Sequence, residues 1–179
     1  MTVITDNPSP LRPLTLEDAP ALGRLVRTNR GFLAPTSPVR SEAWFTDEGQ
    51  ERAVRAALAA AEAGTMYPNV LVEAGDVVGI LNLNSIIRGA LQSASVGYWV
   101  AQDRNGRGIA TRAVAAAKRL AAEDLGLHRL EASTLPDNAA SQRVLASNGF
   151  VRYGLAPDYL QIAGRWQAHV LFQVTFPAA

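Results

Sequence analysis

Residues 93–134 constrain the fold of this chain more than any other stretch. Ser93 to Val100 reads as a β-strand and Asn105-Gly106-Arg107-Gly108 as a glycine turn. A helix follows from about Gly108 to Leu125, and Arg129 to Thr134 is a second strand. Strand, helix and strand in that order form a crossover unit, which makes the two strands parallel. The helix carries Ala110, Ala113, Val114, Ala117, Leu120 and Ala121 at helical spacing, and Gly126 stops it. The turn also has a chemical consequence. Several backbone N–H groups and the positive end of a helix dipole converge on one point, where a phosphate is the usual occupant. Gly106 and Gly108 let the backbone approach an anion without side-chain interference. The turn is not a Walker A loop, because no Lys-Ser or Lys-Thr follows the glycines. It is not a dinucleotide fingerprint either, because GxGxxG is absent. A plain structural turn is the alternative reading of these residues alone.

The flanking segments supply the rest of the sheet. Residues 1–10 read as a loose tail, and residues 11–179 as one domain. Leu11 to Leu14 is a short edge strand limited by Pro13. Thr15 is an N-cap with Asp18 three residues on, opening a helix whose apolar face is Ala21, Leu22, Leu25 and Val26. Gly31 to Pro38 reads as a loop carrying Phe32 and Leu33. Asp47 to Glu62 is an alanine-rich helix ending at Gly64. Asn69 to Ala74 and Val77 to Asn84 form a hairpin joined by Gly75-Asp76, and Ser85 to Gln92 is a polar loop containing Arg88. After Pro136-Asp137-Asn138 a short helix runs to about Ser147, closed by Asn148-Gly149. Tyr159 to Ile162 and His169 to Phe176 are strands, with Ala163-Gly164 between them. The expected architecture is an α/β fold: one mixed, mostly antiparallel sheet with helices on both faces.

Composition excludes several function classes. The net charge of +1 offers no bulk attraction to nucleic acid or a membrane surface. With no cysteine, there is no disulfide framework, thiolate nucleophile or Cys-type zinc site. His128 and His169 stand far apart, so no metal is expected. The chain has neither an apolar run of membrane-spanning length nor a signal-peptide pattern at its N-terminus, which fits a cytoplasmic protein.

A second motif narrows the ligand. Asn138-x-x-Ser141-x-x-Val144-Leu145-x-x-x-Gly149-Phe150 follows the second parallel strand. Together with Asn105, Gly108 and Ala110 it resembles the Gcn5-related N-acetyltransferase (GNAT) superfamily, whose pyrophosphate signature is Gln/Arg-x-x-Gly-x-Gly/Ala. Asn105 is a mild departure from it. Val96-Gly97-Tyr98-Trp99-Val100, His128-Arg129-Leu130-Glu131-Ala132 and the segment from Asp158 to Leu171 are similar to the Rim-type ribosomal-protein alanine N-acetyltransferases.

The resemblance implies acetyl-CoA as co-substrate and a primary amine as acceptor, either a small molecule or a protein N-terminus. It implies that the parallel strands splay, so that pantetheine bonds to the backbone near Tyr98, Trp99 and Val100. The pyrophosphate then lies over Asn105, Gly106, Arg107, Gly108, Ile109, Ala110 and Thr111. Asn138 caps its helix or bonds the pantetheine amide, and the resemblance favours the second. Many members place a tyrosine acid where this chain has Leu145, so Ser141 is the candidate donor to the leaving sulfur. Glu131 is the candidate base, with a water chain as the alternative proton path. Relatives often carry a carboxylate where this chain has Ser93-Ala94-Ser95, and an Asp at Ala168. Phe32, Leu33, Arg88, Tyr159 and Trp166 are candidate acceptor contacts. Arg88 would also be the signature of another acyl donor, such as succinyl-CoA. A CoA-binding module of weak activity is the alternative from a different class. Homodimers are common among proteins of this kind.

Overall fold

The computed structural model describes residues 9–176, so residues 1–8 of the expected tail lie outside it. Strands β1 (Leu11–Pro13), β2 (Tyr67–Glu73), β3 (Asp76–Ile87), β4 (Ser93–Val100), β5 (Arg129–Thr134), β6 (Val151–Ile162) and β7 (Arg165–Thr175) form one sheet in the order β1-β2-β3-β4-β5-β7-β6. Every neighbouring pair is antiparallel except β4 and β5, as the crossover requires. The helices are α1 (Ala19–Thr28), α2 (Arg30–Leu33), α3 (Asp47–Glu62), α4 (Ile109–Arg119) and α5 (Ala139–Ser147).

Side-chain alternation along β2 sends successive residues to opposite faces. Val70 and Val72 pack with Ala19, Leu22 and Val54 from α1 and α3. Leu71 packs on the other face with Ala113, Val114 and Ala117 from α4 and Leu145 from α5. Alanines on α4 bring its axis close to the sheet, and Ala113 and Ala117 are fully buried.

Several boundaries differ from expectation. Phe32 and Leu33 sit on the helical turn α2, followed by a 3-10 turn at Ala34–Thr36, where a loop was expected. The first hairpin turns at Ala74-Gly75, one residue earlier than Gly75-Asp76, because Glu73 pairs with Asp76. Ala74 (φ 52°) and Gly75 (φ 89°) both take the left-handed conformation that a two-residue hairpin demands. The expected helix 108–125 is α-helical only to Arg119 and closes in a π-turn over Leu120–Asp124. β6 begins at Val151 rather than Tyr159, and β7 begins at Arg165 rather than His169.

The entry to α1 carries a buried charge. The Thr15 N–H donates to the Asp18 carboxylate at 2.8 Å, and Arg12 forks onto both Asp18 oxygens at 2.6 and 3.1 Å. Burial pushes the Asp18 carboxyl up, but the Arg12 guanidinium and the Thr15 N–H outweigh it and hold the group below the usual carboxylate range. A folded-state value below the unfolded one stabilises the fold above the unfolded value, and that contribution is lost as pH falls through the folded value. Asp18→Ala is expected to lower stability by about 2 kcal/mol at neutral pH. Thermal unfolding should then show a drop of about 5 °C that shrinks as the pH is taken below about 4.

Candidate active site

The parallel pairing between β4 and β5 is short. Ser93, Ala94 and Ser95 pair with Arg129, Leu130 and Glu131, and there the ladder stops, although β4 runs on to Val100. Its backbone groups on the β5 side beyond Ser95 therefore have no strand partner. The parting opens a cleft of about 600 Å³. Tyr98, Trp99 and Val100 form one wall, and Asn138, Ser141 and Val144 form the other. Phe32 and Leu33 of α2 stand at its rim, and the glycine loop closes one end with Asn105, Gly106, Gly108, Ile109, Ala110 and Thr111.

The loop's conformation follows from its glycines. Gly106 (φ 77°) and Gly108 (φ 71°) are both left-handed, and a Cβ on Gly106 would meet nothing within 4 Å. The first intrahelical bond of α4 runs from the Arg112 N–H to the Gly108 carbonyl. The N–H groups at the start of that helix thus have no intrahelical acceptor and open toward the cleft. The loop's cations are engaged by the fold. Arg107 lies 3.5 Å from Glu73 and donates to the Asp103 carbonyl, while Arg112 donates to the Arg107 carbonyl at 3.0 Å. Buried Asn29 fixes the loop from the other side, accepting from the Gln102 N–H at 2.8 Å and donating to the Leu25 carbonyl. It thereby ties the end of α1 to the loop.

On the opposite wall, Asn138 caps α5: its side-chain oxygen accepts from the Ser141 N–H at 3.1 Å. Of the two roles read from sequence, this geometry contains the cap. The Ser141 hydroxyl lies 2.9 Å from the Tyr98 hydroxyl. Burial pushes the Tyr98 phenol up, partly offset by that hydrogen bond. Ser141 shares the cleft with Val144, not with Leu145, which is fully buried in the core.

Besides Arg107, which is turned to Glu73 and the Asp103 carbonyl, four candidates stand outside the cleft. Glu131 alternates with core residues Leu130 and Ala132, so its carboxylate is on the opposite face of β5. There it lies 3.4 Å from the Tyr153 hydroxyl, a long contact, and pairs with Arg129 at 3.6 Å. Arg88 follows β3, at the end of the sheet away from Val100, and donates to the Leu125 carbonyl. It is therefore not placed to meet an acyl carboxylate in the cleft. Exposed Trp166 lines a separate hollow beside Pro136 and Asp137. Tyr159 packs on the ring of buried His169, 5.7 Å between centroids. Sequence reasoning missed the Tyr98 hydroxyl, having assigned that residue through its backbone alone. It also missed Arg104, Ala140, Arg143 and Ser147, which line the cleft. The spacing of Ala140, Val144 and Ser147 on one helix face was the available signal.

A mixed sheet split between two parallel strands, with an anion-ready helix start at the split, defines an acyl-CoA transferase architecture. A family profile described as "Acetyltransferase (GNAT) domain" matches residues 10–151. A Bacillus subtilis protein, "Probable N-acetyltransferase YjcK", is 36% identical over 93% of each chain. The ribosomal protein uS5-alanine N-acetyltransferase of Escherichia coli is 32% identical over 89% of this chain and 84% of its own. Among solved structures, Mycobacterium smegmatis RimJ in complex with CoA-disulfide superposes with a TM-score of 0.89 at 36% identity, covering 92% of this chain and 80% of that one. The chain belongs to the GNAT acetyltransferase family, and is an acetyl-CoA-dependent N-acetyltransferase.

Proposed function

We propose that the protein transfers an acetyl group from acetyl-CoA directly to the α-amine of a protein N-terminus, with an alanine-initiated ribosomal protein as the acceptor class. The observation that carries this reading is the parting of β4 and β5 after Ser95 and Glu131. Unpaired β4 backbone is available to pantetheine amides, the loop of Gly106 and Gly108 to the pyrophosphate, and Ser141 to the thioester sulfur. The amine attacks the thioester carbonyl carbon, the C–S bond breaks with its electron pair on sulfur, and the Ser141 hydroxyl donates to the thiolate. The dipole of α5, whose first turn holds Ser141, favours the same charge. Most of the rate comes from this positioning and electrostatic stabilisation.

Proton chemistry favours an N-terminal acceptor. No carboxylate lines the cleft among the described residues, and Glu131 faces away, so the amine's proton leaves through water. An α-amine ionises near 8 and a lysine side chain near 10.4, so only the former is substantially neutral without a strong base. The name of the Escherichia coli relative, a ribosomal protein uS5-alanine N-acetyltransferase, points to the same acceptor class. A ribosomal acceptor puts the reaction in the cytoplasm.

The test is thiol release from acetyl-CoA across alanine-, serine- and methionine-initiated peptides, polyamines, aminoglycosides and free amino acids. The reading expects turnover with alanine-initiated peptides and a kcat/KM that rises with pH through the peptide's own α-amine ionisation. Turnover confined to aminoglycosides or polyamines contradicts it.

A further inference from the structure

We infer that Tyr98 is a positioning residue for the leaving group: its phenol donates to the Ser141 oxygen and so turns the serine's single hydroxyl hydrogen into the cleft, toward sulfur. This rests on the acetyl-transfer reading above. The two hydroxyl oxygens are 2.9 Å apart, whereas the Ser141 carbonyl lies 3.4 Å from the Tyr98 hydroxyl, too long for a good O–H···O bond. Were Ser141 the donor, the Tyr98 hydrogen would keep only that long contact within the protein. With Tyr98 as donor, its hydrogen is satisfied and the serine hydrogen is released for the substrate.

The pair also joins the two walls of the cleft. Tyr98 is held in β4 against the main core, and Ser141 occupies the first turn of α5. Asn138 fixes the Ser141 backbone through its N–H, and Tyr98 fixes the side chain through Oγ. A serine hydroxyl free to rotate aims its hydrogen at sulfur only part of the time, whereas one already accepting from a phenol is both aimed and polarised. When the C–S bond breaks, its electron pair goes to sulfur and both hydroxyls keep their protons. The proton shed by the acetylated amine passes to water, and the thiolate regains one from water, so the protein ends unchanged. Burial favours the protonated phenol, as a donor requires.

Tyr98→Phe removes the hydroxyl and keeps the ring. It is expected to lower kcat about tenfold while KM for acetyl-CoA and the melting temperature stay near wild type, the loss being smaller than for a direct donor to the developing charge. The thiol of bound CoA, followed by thiolate ultraviolet absorbance, is expected to ionise at higher pH in the variant than in wild type. In a Ser141→Ala background the same change should alter kcat by no more than about twofold, because the residue it acts through is gone. Wild-type kcat and thiol ionisation in Tyr98→Phe overturn the inference, as does a full tenfold effect in the Ser141→Ala background. A KM that rises together with lost stability also overturns it, since that marks a packing role. A wild-type protein that neither binds CoA nor releases thiol overturns the acetyl-transfer reading and this inference with it. A wild type that turns over, with Tyr98→Phe equal to it, overturns this inference alone.

Discussion

Replacing Ser141 with alanine is expected to lower kcat about a hundredfold and to leave the KM for acetyl-CoA nearly unchanged, the result predicted for a donor that meets charge developing only in the transition state. The substitution is clean because the two parts of Ser141 do different work. Its backbone N–H donates to the Asn138 cap oxygen, which alanine keeps, and its hydroxyl reaches Tyr98 and the cleft, which alanine loses. Alanine also has the better helix propensity, so α5 is not weakened. Steady-state kinetics and a melting curve on the same preparation separate the outcomes. An unchanged kcat removes Ser141 from the chemistry, and a collapse of the melting temperature would mean the helix, not the hydroxyl, had been lost.

Gly108→Val is expected to act on binding instead, raising the KM for acetyl-CoA by about a hundredfold, the cost of losing several backbone donors to phosphate. Gly108 sits at φ 71°, where a β-branched residue is strained, and a Cβ there would stand 3.3 Å from the Arg112 guanidinium that props the loop. Relief of that strain moves the N–H groups at the start of α4. Gly126→Val is the control. Gly126 is also left-handed, at φ 60°, but lies at the far end of the helical segment with nothing within 4 Å of its Cβ position. It should lower the melting temperature and leave the KM for acetyl-CoA alone. A similar KM change in both variants would mean that general destabilisation, not the phosphate loop, sets the affinity.

The legible parts of this molecule are those where one local rule dominates. The bounds of β4 and β5 are legible because Ala94, Val96, Tyr98 and Val100 in one strand, and Leu130 and Ala132 in the other, recur at the two-residue period. The same pair's parallel direction followed from the intervening helix. β6 was hidden at its start because its register shifts twice, between Arg152 and Gly154 and between Ala156 and Leu160. Those shifts destroy the two-residue period on which strand reading depends. It is also the exposed edge of the sheet, with Val151, Tyr153 and Leu155 all facing solvent, so burial leaves little mark on its sequence.

The site divides in the same way. The loop from Asn105 to Thr111 and the start of α5 were legible because glycines and caps carry local conformational meaning. Of the acceptor contacts, Phe32 and Leu33 reach the cleft rim, whereas Arg88, Tyr159 and Trp166 do not, because these contacts depend on where distant elements come together. Arg88 was read as a pocket residue from its loop, yet the antiparallel course of β3 carries that loop away from the end of β4 that opens. Glu131 was read from its strand, but the strand's alternation places it opposite the core face. The contact between Tyr98 and Ser141 crosses from a strand to a helix, and no spacing rule within either segment encodes it.

Direct transfer within one ternary complex is tested most simply by intact-mass analysis of a single-turnover mixture. Protein in excess is mixed with acetyl-CoA, with and without an alanine-initiated peptide. Direct transfer predicts unmodified protein in both samples, and one α-acetylated peptide with one free CoA thiol for each acetyl-CoA consumed when peptide is present. Acetylated protein in the peptide-free sample that passes its acetyl group to peptide added later would contradict it. So would acetyl-CoA left bound and intact beside every amine offered.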